Sequence, residues 1–169
     1  HGAGSSFTNN GTIGGNGTIT LADGGFTNDG GIAPGLSTGT LTINGDVENT
    51  ATAIFDIEIA GASDFDLLNV IGEIDLDGTI ELTVLGAFEP DAADAFTVLT
   101  ANSVLGNFSN AVADAGANTA FGVMTNGFIF DVTYNADSVV ISNVVVPTPG
   151  AVALLATGGL LTLSRRRRG

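Results

Sequence analysis

The feature that most constrains the fold of this chain is a short sequence that occurs twice near its amino terminus. The run FTNNGTI begins at Phe7 and the run FTNDGGI begins at Phe26, an offset of 19 residues. Each run leads into a short β-type pattern, GTITL at 17–21 and GTLTI at 39–43. A helical repeat needs a longer period and less Gly and Thr, whereas one coil of a β-solenoid fits this period. Two look-alike hairpins remain the alternative, since a solenoid needs about three repeats for stability.

The solenoid interpretation makes a definite prediction for residues 5–50. They should form short parallel strands that stack on one another, whereas antiparallel hairpins would contradict the interpretation. The aliphatic residues of this stretch should then face the inside: Ile13, Ile19, Leu21, Ile32, Leu41 and Ile43.

Residues 51–146 show alternation with a period of two, which is typical of strands with one buried face. Further strands are predicted at 66–71, 96–100, 128–134 and 138–146. Asp77-Gly78 interrupts the alternation and predicts either a tight hairpin turn or a bulge. No internal segment has sustained helical periodicity, so the chain up to residue 146 is expected to be all β. The apolar positions of the first two runs are Ala53, Phe55, Ile57, Ile59, Ile74, Leu76, Ile80, Leu82 and Val84.

The charge distribution excludes several classes of function. The chain has 169 residues with 18 Asp and Glu, no Lys and four Arg, a net charge of −14. All four Arg lie at 165–168, so nothing in residues 1–164 can neutralise a phosphate, and nucleic-acid binding is not expected. The chain lacks Cys and its one His is His1, which argues against Ser-His-Asp or Cys-His catalysis. We expect that a segment precedes His1 in the gene product, since the chain starts without a methionine and shows no signal peptide.

The carboxyl-terminal segment has a distinctive order of residue types. Pro147-Thr148-Pro149 is followed by an apolar stretch at 150–163, then by Ser164 and the four arginines. Fourteen helical residues extend only about 21 Å, against a hydrocarbon core of about 30 Å. An apolar helix followed by a block of cations nevertheless stops translocation, with the cations on the cytoplasmic side. The remainder of the chain is then expected outside the cell, and a buried terminal helix is the alternative.

These carboxyl-terminal residues resemble the PEP-CTERM sorting signal of exported proteins in Gram-negative bacteria that make extracellular polysaccharide. The matching positions are Val146, Pro147, Thr148 and Pro149, the apolar helix, and the stop-transfer block Arg165, Arg166, Arg167 and Arg168. Thr148 stands where the family has a glutamate between the prolines. The resemblance implies that a membrane protease of the exosortase class cuts near the prolines, and that the helix anchors the chain only transiently.

A second resemblance covers roughly residues 11–145. The run APGLSTGTLTING at 33–45 and the run FDLLNV at 65–70 are similar to the passenger repeats of autotransporter proteins. Those passengers fold as right-handed parallel β-helices that end in a capping region. The resemblance therefore implies a fold, and only by analogy a role at the cell surface.

The acidic residues suggest two further hypotheses. If strands stack in parallel, the row Asp56 and Glu58 and the row Glu73, Asp75 and Asp77 become neighbours, and Ca²⁺ between them would relieve the repulsion. No other cofactor is expected. Alternatively, the pair Asp64 and Asp66, or the pair Asp75 and Asp77, lies on one strand face about 7 Å apart, a spacing that suits an inverting glycosidase. Acids that merely keep the surface soluble remain the simpler explanation.

Together these patterns predict an all-β protein with a parallel β-helix or solenoid, a β-rich cap and a short carboxyl-terminal apolar helix. The expected division is 1–50 for solenoid coils, 51–146 for continuation and cap, and 147–169 for sorting and anchoring. The expected function is that of an exported, non-enzymatic structural or adhesive protein of the cell surface or extracellular matrix. Its expected partners are the sorting protease, the membrane and extracellular polysaccharide, and a carboxylate-dependent glycan hydrolase is the alternative.

Overall fold

The computed structural model describes residues 6–21, 25–111, 119–125 and 128–145. These residues form an all-β fold, and no helix occurs among them. The carboxyl-terminal apolar helix expected from the sequence lies outside the described residues. The strands are β1 Phe7–Asn9, β2 Thr12–Gly15, β3 Gly17–Thr20, β4 Phe26–Asn28, β5 Gly31–Pro34, β6 Thr40–Asn44, β7 Val47–Asn49, β8 Ile54–Gly61, β9 Asp64–Phe65, β10 Leu67–Ile71, β11 Glu73–Leu76, β12 Thr79–Val84, β13 Ala95–Thr100, β14 Ser103–Gly106, β15 Thr119–Thr125, β16 Phe128–Tyr134 and β17 Ser138–Val145.

The strands are arranged in three sheets. Sheet A has the order β1-β4-β7-β11-β14, sheet B has the order β2-β5-β8-β12, and sheet C has the order β3-β6-β10-β13-β17-β16-β15. The short strand β9 pairs antiparallel with β8 beside sheet B. Successive strands of the chain visit A, B and C in turn, so that four consecutive segments each add one strand to every sheet. We call each such segment a unit: β1–β3, β4–β6, β7–β10 and β11–β13.

Pairing between units is parallel and in register. Phe7 lies opposite Phe26 in sheet A, and Ile13 lies opposite Ile32 in sheet B. The same pairing continues across residue 50 into the third and fourth units. The step from one unit to the next grows from 19 residues between Asn9 and Asn28 to 31 residues between Asn69 and Thr100. The prediction of stacked parallel strands is therefore confirmed, and the hairpin alternative for residues 5–50 is wrong.

The alternating side chains explain where the core lies. Every second residue of β8 points inward, and Phe55, Ile57 and Ile59 are buried. The core is one cluster, which extends from Phe26 in the second unit to Ile141 in β17. Other predicted interior positions are buried at Ile32, Leu41, Ile43, Ala53, Ile74, Leu76, Ile80 and Leu82, and partly buried at Ile13, Ile19, Leu21 and Val84.

Asp77-Gly78 forms a corner between two sheets, neither a hairpin turn nor a bulge. β11 before it belongs to sheet A and β12 after it belongs to sheet B. Gly78 has φ of 73°, a conformation that glycine adopts without strain. A Cβ atom at this position would also collide with the backbone oxygen of Ala53 in the unit below. The inside-outside alternation runs through the corner unbroken, which is why the sequence pattern did not show it.

The end of the stack that follows the fourth unit is covered on sheets B and C. β17 pairs antiparallel with β13 and so extends sheet C beyond its last parallel strand. On sheet B, Asn110 Oδ1 accepts a hydrogen bond from Ile80 N at 3.0 Å, and Asn110 Nδ2 donates to Ile80 O at 2.8 Å. The side-chain amide thus replaces a further strand at this position. The Tyr134 hydroxyl accepts from Phe108 N at 3.2 Å and donates to Ala111 O at 2.6 Å, which holds the covering segment in place.

Candidate functional site

Asp66 is a buried acid that joins two neighbouring units. It lies between β9 and β10 and is only 1% exposed. Its Oδ1 accepts a hydrogen bond from Gly39 N at 2.8 Å, and its Oδ2 accepts one from Glu58 N, also at 2.8 Å. The Asp66 N–H in turn donates to Glu58 O at 2.9 Å. Both carboxylate oxygens are therefore engaged with the backbone, one of them in the preceding unit.

The surroundings of Asp66 change its acidity. Burial raises the pKa of Asp66 to about 6, although the two backbone N–H groups act in the opposite direction. The negative charges of Glu58 and Asp56 add to the increase. No Lys or Arg occurs before Arg165, so no side-chain cation from residues 2–164 offsets this repulsion.

A groove of about 210 Å³ lies beside this carboxyl group. One wall is the segment Ala33 to Ser37, and the other carries Asp56, Glu58 and Asp66. Leu36 stands at the groove with 90% of its surface exposed. The groove therefore places carboxyl groups opposite an exposed apolar side chain.

A second groove, of about 250 Å³, lies on the outer face of sheet A. Four acidic residues contribute to its lining, together with residues of β4 and the turn before it: Asp46, Glu48, Glu73 and Asp75. Asp46 Oδ1 accepts a hydrogen bond from Glu73 N at 2.8 Å, so Asp46 also fixes the start of β11. This groove therefore concentrates negative charge in a concave part of the described surface.

The structure separates the two acidic rows that the sequence pattern places side by side. Asp56 and Glu58 lie on β8 in sheet B, where they face Glu81 and Thr83 of β12. Glu73 and Asp75 lie on β11 in sheet A, and Asp75 faces Glu48 of β7. Asp77 lies in the corner after β11, where its Oδ1 accepts a hydrogen bond from Gly78 N. Within the described residues, no three His, Cys, Asp or Glu side chains come close enough to hold a metal ion together.

The acid pairs considered for glycan hydrolysis lie in unlike environments. Asp64 is exposed on β9 and accepts a hydrogen bond from the Thr38 hydroxyl, whereas Asp66 is buried. Asp75 and Asp77 are both exposed, but Asp77 lies beyond the end of β11. Burial therefore sets Asp66 apart from its predicted partner Asp64.

A ladder of asparagine side chains joins neighbouring units, as expected for the Asn-rich first stretch of a stack of strands. Asn9 Nδ2 donates to Asn28 Oδ1 at 2.8 Å, and Asn28 Nδ2 donates to Asn49 Oδ1 at 3.1 Å. The ladder crosses three units at the end of each sheet A strand. The signal was present in the repeated FTN triplet, whose Asn ends β1 and β4.

Hydroxyl groups also connect units at the surface. Asp29 Oδ1 accepts hydrogen bonds from the hydroxyls of Thr50 and Thr52, and these bonds lower the pKa of Asp29. Every buried side-chain N or O atom among the described residues has a hydrogen-bond partner. The polar groups at these positions thus hold the stack together.

The predicted sorting residues lie outside the described part of the chain. This applies to Val146, Pro147, Thr148 and Pro149 and to the block Arg165 to Arg168. Within the described ranges, no helix has the length and hydropathy needed to cross a membrane. No protein-family model matches the chain, and no curated protein matches its sequence.

Proposed function

We propose that this chain is an exported β-solenoid that acts as a structural or adhesive component of the cell surface or extracellular matrix. The observation that carries the proposal is the parallel register between units, in which β1, β2 and β3 lie against β4, β5 and β6 residue by residue. In this proposal each unit is one coil of the solenoid. The antiparallel strands β15 to β17 form its carboxyl-terminal cap.

The arrangement of polar groups supports a structural role. The amide groups of the asparagine ladder and the carboxylate of Asp66 make contacts between coils. Stacked polar ladders and in-register parallel strands are features of rigid, extended β architectures. Stability of this kind suits a protein that acts outside the cell without disulfides.

The surface charge supports an extracellular location without nucleic acid as partner. Cross-strand acid pairs occur on two sheets, Glu48 beside Asp75 and Asp56 beside Glu81. A negatively charged surface keeps a secreted protein soluble and repels the phosphate backbone of nucleic acids. Extracellular polysaccharide is the partner class that best fits the two grooves. Ca²⁺ is a candidate ion for each of the two cross-strand acid pairs.

The carboxyl-terminal segment supplies the sorting part of the proposal. The order of prolines, apolar residues and arginines supports recognition by a protease of the exosortase class near Val146 to Pro149. The stretch at 150–163 would hold the chain at the membrane until cleavage, with the arginines in the cytoplasm.

Glycan hydrolysis is the second candidate, and one observation favours it. A carboxyl group with raised pKa beside other carboxylates in a groove is a common feature of acid catalysts, and Asp66 has this environment. The engagement of both Asp66 oxygens with backbone N–H groups favours the structural role instead.

Purified protein mixed with extracellular polysaccharide from an exosortase-containing bacterium distinguishes the two functions. The structural proposal expects the protein to sediment with the polysaccharide and to release no new reducing ends over a long incubation. Release of reducing ends that is lost in the Asp66→Asn and Glu58→Gln variants, each folded by circular dichroism, but kept in the exposed control Glu73→Gln, would establish the hydrolase instead. If the protein neither sediments with this polysaccharide nor hydrolyses it, both functions are contradicted for this polysaccharide.

A further inference from the structure

The three sheets end on one side at β1, β2 and β3, the first strands of the described chain. Each of these strands pairs with the next unit on one side and has no strand partner among the described residues on the other. Phe7 of β1 is 48% exposed, and Ile13, Ile19 and Leu21 are only partly buried. Apolar side chains and unpaired backbone groups of three sheets therefore meet at this end, which we call the β1–β3 end.

The residues of the β1–β3 end are those that the second unit uses inside the stack. Phe26, Asn28 and Ile32 occupy the same register positions as Phe7, Asn9 and Ile13, and each is 1% exposed. Phe7 stacks on Phe26 with ring centroids 5.5 Å apart and planes inclined by 13°, and no other ring among the described residues stacks on it. Asn9 Oδ1 accepts a hydrogen bond from Gly11 N at 3.0 Å, and an amide oxygen has two lone pairs.

The β1–β3 end also lacks the charged residues and prolines that often protect a sheet edge. Residues 6–21 include no charged residue and no proline, although the chain as a whole carries a net charge of −14. At the opposite end, β17 covers sheet C and the Asn110 side chain covers part of sheet B. Terminal repeats of stacked proteins need a polar cover, and the first unit has the composition of an interior repeat.

We propose that the β1–β3 end is the docking surface for a further coil of the same repeat, stacked in parallel register and contiguous with the amino-terminal side of this chain. The coil would place a Phe on Phe7, an Asn amide on Asn9 Oδ1 and a β-branched residue over Ile13. The proposal rests on the coil architecture proposed above, but not on export or sorting.

The order of strands favours this occupant over a second copy of the chain. In sheet A the strands follow sequence order, so the position beside β1 belongs to the polypeptide that precedes β1. Two copies related by a two-fold axis would pair their edges antiparallel, which breaks the Phe and Asn ladders. A head-to-tail arrangement of copies would have to displace β17 and Asn110 from the opposite end.

The test duplicates residues 7–25 directly before Phe7 in the full chain. A matched control carries the same insertion with Ser in place of the copies of Phe7, Asn9 and Ile13. The proposal expects amide hydrogen exchange in β1, β2 and β3 to slow at least tenfold with the repeat insertion and to stay unchanged with the control. Exchange in β12 and β13 serves as the internal measure that each variant has folded.

Two results would overturn the proposal. In the first, the repeat insertion and the Ser control slow amide exchange in β1 to β3 equally, or neither of them slows it, although β12 and β13 are protected in both chains. The other is a stable dimer of the unmodified chain in light scattering whose formation protects the same strands, because the occupant would then be a second copy. Failure of the chain to reach the cell surface would leave these results unchanged, so this proposal and the proposed function fail separately.

Discussion

The side-chain amide of Asn9 donates a hydrogen bond to Oδ1 of Asn28, 19 residues further along the chain, at 2.8 Å. Asn28 in turn donates to Asn49, so that a single buried residue joins three units. We expect Asn28→Ala to lower the free energy of unfolding by about 2 kcal/mol, because it removes a partner from two neighbours and leaves a small cavity. Urea denaturation followed by circular dichroism measures the loss. Asn10→Ala, at an exposed position of the first unit, is the matched control and should change little.

Asp66 gives a prediction for the contact between the second and third units. Asp66→Ala leaves Gly39 N and Glu58 N without their acceptors, and a buried donor without a partner costs about 1–3 kcal/mol. We therefore expect a loss of roughly 2–3 kcal/mol at pH 5, against less than about 0.5 kcal/mol for the exposed control Asp75→Ala. Equal losses in the two variants would show that the bonds of Asp66 contribute nothing specific.

The same carboxyl group gives a pH dependence with a definite sign. Its pKa rises from 3.8 to about 6 on folding, so between these values the folded chain keeps a proton that the unfolded chain has released. The resulting stability is complete below about pH 3.8 and is lost as the pH rises through about 6. The difference in unfolding free energy between the wild type and Asp66→Ala should therefore shrink between pH 4.5 and pH 7.5, by at most about 1.4 kcal/mol per pH unit. A difference that grows over this range would contradict the assignment.

Tyr134 reports on the covered end of the stack, and it is the one tyrosine of a chain without tryptophan. Burial raises the pKa of its hydroxyl from 10.0 to about 12, although the Phe108 N–H acts in the opposite direction. Absorbance of the folded chain at about 295 nm should therefore begin to rise well above pH 10, while the chain in guanidinium should titrate near 10. Stability should also fall as the pH rises from 10 toward 12, since the folded state holds the proton longer. Coincident titration curves would place the hydroxyl in solvent.

Part of this fold follows from local sequence. The repeated FTN triplet predicts the parallel pairing of β1 with β4, and the alternation around Phe55 predicts which side chains form the core. The sheet to which each strand belongs does not follow, because the alternation continues unbroken through the corner at Asp77-Gly78. That gap in the prediction explains why Asp56 and Asp75 were expected to be neighbours although they lie in different sheets.

The role of Asp66 could not be predicted for a related reason. Its neighbours in sequence are typical of a strand, and an acid in such a run is normally expected on the solvent side. Its burial depends on Gly39 N, which is 27 residues away and belongs to another unit. Contacts between units are set by the register of the stack, which a single sequence with two visible repeats does not define beyond the first units.

The most direct test of export and sorting is the location and processing of the chain in a Gram-negative host that carries an exosortase-class protease. The chain is fused to an export signal, and an external protease is added to intact cells to measure the accessible fraction. We predict that the external protease reaches the stacked units on intact cells and that the mature chain ends near Val146 to Pro149. A variant with Arg165→Ser, Arg166→Ser, Arg167→Ser and Arg168→Ser should pass into the medium with its tail intact. A chain that stays protected inside intact cells with residues 150–169 attached, whether or not the arginines are replaced, would contradict the proposed function.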